Sequence, residues 1–236
     1  MLRHDTDNFG GRVSGRRAGA AVLPASWHGW LGLVAGFAAL VVVVLGVRYA
    51  GEGGPGRVDA RIGAALDGVR PPWRSVALAL DSLGEPVGST ALVVAAVTGC
   101  LLLRRPRAAV FTVAAVGLTV GAATLLKHLV GRTIHGENLS YPSGHTAFAT
   151  ALALVVAMLA TGRQGRNGPA VGLGLAALAA LVAGAAMGWA QVALGAHYPT
   201  DALAGWCTAL AVVPATARLV DRTADRMADV SRRKHR

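Results

Sequence analysis

The chain has 236 residues, 53% of them hydrophobic and only 15% charged, against roughly 25% charged in an average soluble domain. Its formal net charge is +11, but the basic residues fall in blocks between long apolar runs, which is the pattern of membrane topology signals and not of a nucleic-acid surface. Cys100 and Cys207 both lie inside apolar runs; they are too few for a disulfide framework and lack metal-ligand spacing.

Residues 1–26 form a polar, Gly-rich arm carrying Arg3, Arg12, Arg16 and Arg17, expected to be disordered and cytoplasmic. A bilayer-spanning helix needs ~20 mostly apolar residues, and residues 29–47 supply the first candidate. This run begins late and is too long for a signal-peptide core, so it is expected to be retained. Trp27 and Trp30 stand where belt residues would anchor it. Residues 49–73 are expected outside. Within them, residues 58–69 place Val58, Ile62, Leu66 and Val69 at helical spacing, predicting a short amphipathic helix on the outer surface that ends at Pro71-Pro72.

Residues 74–85 read as a helical lead-in to a second span at 86–103. Further spans are predicted at 108–126, 146–160 (somewhat short), 170–194 and 202–217. Their inner loops contain Arg104, Arg105 and Arg107, then Arg163 and Arg166, and a basic tail occupies 219–236. Ala, Gly and Val in these runs suit close helix packing in lipid. The predicted fold is all-α, a polytopic bundle of six transmembrane helices over 27–218 with no division into two domains. With the N-terminus inside, most of the basic residues are cytoplasmic, as the positive-inside rule requires. The same orientation puts Lys127, Arg132, His135, Ser143, His145, His197 and Asp201 on the external face.

These residues suit chemistry on a phosphate. Phosphoryl transfer needs cations and N–H donors around the oxygens, an in-line nucleophile, and an acid for the leaving group. Ser143 and Gly144 precede the fourth span, where the free N–H groups of a helix start make an anion site. His145 follows in the first turn. Lys127, one of two lysines in the chain, sits at the outer edge against the charge rule; simple snorkelling is its bland alternative. His197 and Asp201 are four residues apart around Pro199. A carboxylate on one ring nitrogen raises the basicity of the other, which makes a histidine a nucleophile. The alternative is a helix-capping Asp201 beside a structural His197. Zinc would need a further strong ligand, and none is placed.

Pro142-Ser143-Gly144-His145, followed by His197-x3-Asp201, resembles the second motif and the end of the third motif of the type 2 phosphatidic acid phosphatase (PAP2) superfamily of membrane lipid phosphatases. The resemblance covers about 73–217. It implies a six-helix membrane fold with the site at one interface. By the resemblance, His197 is the nucleophile that becomes a phosphohistidine, Asp201 orients it, and His145 protonates the leaving group. Lys127, Ser143 and Gly144 then hold phosphate oxygens, with no metal or organic cofactor. The implied substrate is a lipid phosphate or diphosphate, polyprenyl or glycerolipid, met at the outer face of the plasma membrane. Two family arginines are missing: Ile134 and His135 stand where the first motif has Arg-Pro, and Ala190 and Gln191 where the third has Ser-Arg. Arg132, His135 and Gln191 are the expected substitutes in phosphate binding. Two alternatives share these residues: a degenerate member that binds or moves lipid phosphates without hydrolysis, and a lipid phosphotransferase.

Overall fold

The computed structural model describes residues 22, 27–161 and 169–234. The arm at 1–26, Val22 apart, and the Arg163/Arg166 loop at 162–168 lie outside the described residues, as do their expected disorder and sidedness. The described chain is almost wholly helical: α1 (His28–Arg48), α2 (Arg57–Leu66), α3 (Trp73–Gly84), α4 (Pro86–Leu102), α5 (Pro106–Val130), α6 (Gly144–Thr161), α7 (Pro169–Ala193) and α8 (Pro199–Lys234). A two-stranded antiparallel ribbon, β1 (Thr133–Ile134) with β2 (Asn138–Leu139), closes the loop between α5 and α6.

Prolines set several of the helix starts. Pro86, Pro106 and Pro199 each open a helix, where a missing N–H costs nothing and the fixed φ fits. Gly131 ends α5 in the left-handed region at φ 64°, returning its N–H to the Lys127 carbonyl at 3.0 Å, as a helix-terminating glycine does. That turn carries the chain from Lys127 directly into Arg132.

Five helices, α1, α5, α6, α7 and α8, are long and apolar enough to cross a membrane. The second predicted span needs correction. Its helix α4 has 17 residues, about 25 Å at 1.5 Å per residue, short of the ~30 Å hydrocarbon core. It forms one bent unit with α3, the two meeting at 64°, and only so counted are there six spans. The bend falls at Glu85-Pro86, where proline cannot continue the preceding helix. The expected basic tail is no separate segment: α8 runs on through it to Lys234. Trp30 faces outward as a belt residue would, but Trp27 is buried in the core cluster.

α6 sits centrally, packed on α5, α7 and α8, while α1 lies along α8. Phe111, Ala151, Val155, Met158, Ala180 and Val213 meet in the core. Larger apolar side chains, such as Leu33, Phe37, Val47, Leu129 and Val182, point outward, the reverse of a soluble protein and the arrangement lipid requires. Small residues allow backbones to touch: a Cβ at Gly205 of α8 would overlap the Ser143 carbonyl. The amphipathic helix α2 forms close to its predicted place, but it does more than lie on a surface. Its Asp59 is 1% exposed and reaches the start of α8.

Candidate active site

The chain ends of α5, α6 and α8 bring the predicted residues to one end of the bundle. Ser143 N–H donates to the Asp201 carbonyl at 2.9 Å, tying the second motif to the third. Ser143 Oγ accepts from Thr146 N–H at 3.3 Å and from Thr146 Oγ1 at 3.0 Å. It therefore caps α6, and its side chain is fully buried. Lys127 Nζ donates to the Leu139 carbonyl at 2.8 Å, holding the β2 strand against α5.

His197 lies in the short turn between α7 and α8. Its N–H points to the Gln191 carbonyl at 3.3 Å, so the end of α7 sets its position. Its Nδ1 is 4.0 Å from Asp201 Oδ2, close enough for electrostatic influence but longer than a hydrogen bond. Burial, with the charges of Lys127 and His145 adding to it and the Ser140 backbone opposing, pushes the His197 pKa down to about 3. The ring is therefore neutral at physiological pH, with its lone pair free. Asp201 accepts Arg132 Nη1 at 2.6 Å through Oδ1 and Tyr198 N–H at 3.1 Å through Oδ2.

Arg132 departs from expectation. As a substitute phosphate ligand it should face an open pocket; instead it is fully buried. Nη1 donates to Thr200 Oγ1 at 2.7 Å and to Asp201; Nη2 donates to Asp59 Oδ2 at 2.7 Å and to the Gly54 carbonyl at 3.5 Å. The guanidinium is stacked between the Tyr49 and Tyr198 rings, at 3.9 and 4.4 Å from their centroids. Only Nε lacks a protein partner. The physical reason is charge: two buried carboxylates need a cation more than a solvated anion does.

Gln191 is also committed, donating to Asp81 Oδ1 at 2.7 Å. That oxygen lies 3.5 Å from His145 Nε2, and Glu85 Oε1 is 3.6 Å from the same nitrogen. Asp81, Glu85 and His145 thus gather ligand atoms within 4.8 Å of one another, a set able to hold a metal ion. Sequence alone does not connect either carboxylate to His145. Asp81 lies in the last turn of α3 and Glu85 caps its C-terminal end, and this four-residue spacing was the available signal.

Two cavities flank the site. A polar one of ≈ 600 Å³ is lined by Asp59, Arg74, Ile134, His135, His197 and Tyr198. His135 is exposed there, held at φ 53° in the ribbon turn. Ile134, at the missing arginine's position, lines the same wall. An apolar groove of ≈ 460 Å³ runs between α3, α6 and α7, with Leu83, Phe148, Leu152, Ala183 and Met187 on its sides.

The PAP2 superfamily model matches residues 126–225, from the end of α5 into α8. Over this segment the chain is similar to the PAP2 superfamily. The fold is similar to that of a transmembrane PAP2-type phosphatidylglycerolphosphate phosphatase from Bacillus subtilis, with a TM-score of 0.62 and 20% identity, covering 82% of this chain and 96% of that one. No curated protein matches. The PAP2 segment includes every predicted site residue, whereas Asp59, Asp81 and Glu85 come from α2 and α3 ahead of it.

Proposed function

We propose that this chain is a membrane lipid phosphatase whose nucleophile is His197. The observation that carries the reading is the buried, neutral imidazole of His197 beside a fixed Asp201, because an amine nucleophile must keep its lone pair free. An N–P bond forms from His197 as the P–O ester bond breaks, and His145 gives a proton to the departing oxygen. Water then attacks phosphorus and returns a proton to His145, and the N–P bond breaks. Lys127, the start of α6 at Gly144, and His135 on the polar cavity surround the phosphate.

The apolar groove supports a lipid substrate, its chain lying against Phe148 and Leu152 and its ester reaching the site from the bilayer. The structurally similar protein is named for phosphatidylglycerolphosphate, and that substrate belongs in the panel with phosphatidate and polyprenyl diphosphate. The site faces outward at the plasma membrane, both termini being cytoplasmic. The test is phosphate release from that panel by purified protein in detergent, with His197→Ala as control. Release unaffected by His197→Ala removes the mechanism.

One feature favours binding without hydrolysis. Gln191 is paired to Asp81, so the site lacks an arginine there and has gained a carboxylate. Tight binding of lipid phosphate with no turnover would decide for that reading.

A further inference from the structure

Asp59 accepts four hydrogen bonds. Oδ2 takes Arg132 Nη2 at 2.7 Å, Thr200 Oγ1 at 3.0 Å and the Gly56 N–H at 3.1 Å, while Oδ1 takes the Thr200 N–H at 2.9 Å. It is 1% exposed, and its partner Arg132, like the Asp201 that Arg132 also binds, is fully buried. A carboxylate this deep is tolerated only when paired and hydrogen-bonded. Pairing alone does not explain it, since Arg132 and Asp201 already form a neutral pair. Adding Asp59 gives the buried group two carboxylates and one guanidinium, with one negative charge in excess.

One of the two carboxylates, Asp201, lies 4.0 Å from His197 Nδ1, where the charges of Lys127 and His145 also act. A guanidinium shared between two carboxylates neutralises each less than it would neutralise one, so Asp201 keeps more of its field for the imidazole 4.0 Å away. Asp59 also holds both the N–H and the hydroxyl of Thr200, the residue next to Asp201 in the first turn of α8. The position of Asp201 and its share of the Arg132 guanidinium therefore both depend on a residue of α2.

We propose that Asp59 is a positioning residue of the active site, which acts through Arg132 and Thr200 to hold Asp201 in place opposite His197. This rests on the phosphatase reading above. It makes the external helix α2 part of the working site, although it precedes the PAP2 segment.

The test separates charge from mere packing. Asp59→Asn should lower kcat at least tenfold with KM changed less than threefold, and Asp59→Glu should recover part of the loss. Asp59→Asn keeps the shape of the side chain and removes its charge, so a packing role alone leaves kcat unchanged. A second readout needs no substrate: acylation of His197 by diethyl pyrocarbonate, followed by mass spectrometry. It should slow at least threefold in Asp59→Asn, because a less negative neighbourhood makes the imidazole a weaker nucleophile. If wild-type protein releases no phosphate, the phosphatase reading fails, and the acylation rates still decide the role of Asp59. Unchanged acylation or unchanged kcat in folded Asp59→Asn overturns the proposal.

Discussion

Gln191 donates to Asp81 Oδ1 at 2.7 Å, and the same oxygen stands 3.5 Å from His145 Nε2. One carboxylate thus links the position of a missing motif arginine to the second histidine. An arginine introduced at position 191 would meet Asp81 before it met a phosphate. Gln191→Arg alone should therefore change kcat/KM on a generic lipid phosphate by less than threefold. With Asp81→Asn added, the guanidinium is released, and kcat/KM should rise about tenfold or more, since a charge-assisted hydrogen bond is worth about 1.5–3 kcal/mol. Steady-state kinetics on the two variants checks this. A full gain from Gln191→Arg alone would show that Asp81 does not hold the new side chain.

Arg132 should behave as a structural cation. Arg132→Ala leaves Asp59 and Asp201 buried and uncompensated, and breaking a buried pair in this way costs about 3–5 kcal/mol. Thermal unfolding in detergent should show a large drop or no folded protein. Arg132→Lys should be intermediate, keeping the charge while losing the planar fork and the stacking on Tyr49 and Tyr198. A folded Arg132→Ala with only a raised KM would return Arg132 to the phosphate.

The sequence was most legible where one property repeats along many residues. The long apolar runs at α1, α5, α6, α7 and α8 and the helical spacing in α2 are of that kind. The motif residues were legible because their spacing is local. Asp59 was not: one acidic residue in a polar helix looks the same whether it faces water or a guanidinium 73 positions later. Arg132 was misread for the same reason, since a cation beside a candidate anion site does not reveal a nearer carboxylate. The α3–α4 bend was half legible. Pro86 marks the break, but a proline does not give the 64° angle of the bend.

Sidedness can be read at the two ends of α5. Asn138 is exposed beyond its C-terminal end, and Arg104 is exposed ahead of its N-terminal end. A cysteine at Asn138 in intact cells should react with an impermeant reagent, and one at Arg104 should react only after permeabilisation. The charge blocks motivate this orientation. The opposite pattern would put the site on the cytoplasmic side.

Gly84 controls the seat of His145. A Cβ there would overlap the His145 ring, and the glycine is the last residue of α3, just before the bend. Gly84→Ala must push the ring or open the bend, an overpacking cost of about 1–3 kcal/mol. The expected result is a folded protein with reduced kcat, as the ring moves away from the phosphate. Wild-type kcat in Gly84→Ala would mean that His145 tolerates displacement and is not the proton donor.

Acid should destabilise this protein through His197. Burial holds its folded pKa at about 3, below the usual histidine value of 6.5. Above pH 6.5 the ring is neutral folded and unfolded, so no stability is lost. As pH falls from 6.5 towards 3, the unfolded chain takes up a proton that the folded site refuses, and stability drops by about 1.4 kcal/mol per pH unit in that window. Thermal midpoints in detergent between pH 7 and pH 4.5 should fall for wild type and fall less steeply for His197→Gln, which has no ring to protonate. The same pKa keeps the nucleophile neutral through that range, so activity lost on mild acidification should track unfolding and not protonation of His197. Equal midpoint slopes in the two proteins would mean that His197 is not held neutral by burial. The lone pair that the proposed phosphohistidine needs would then have to be freed by the bound substrate.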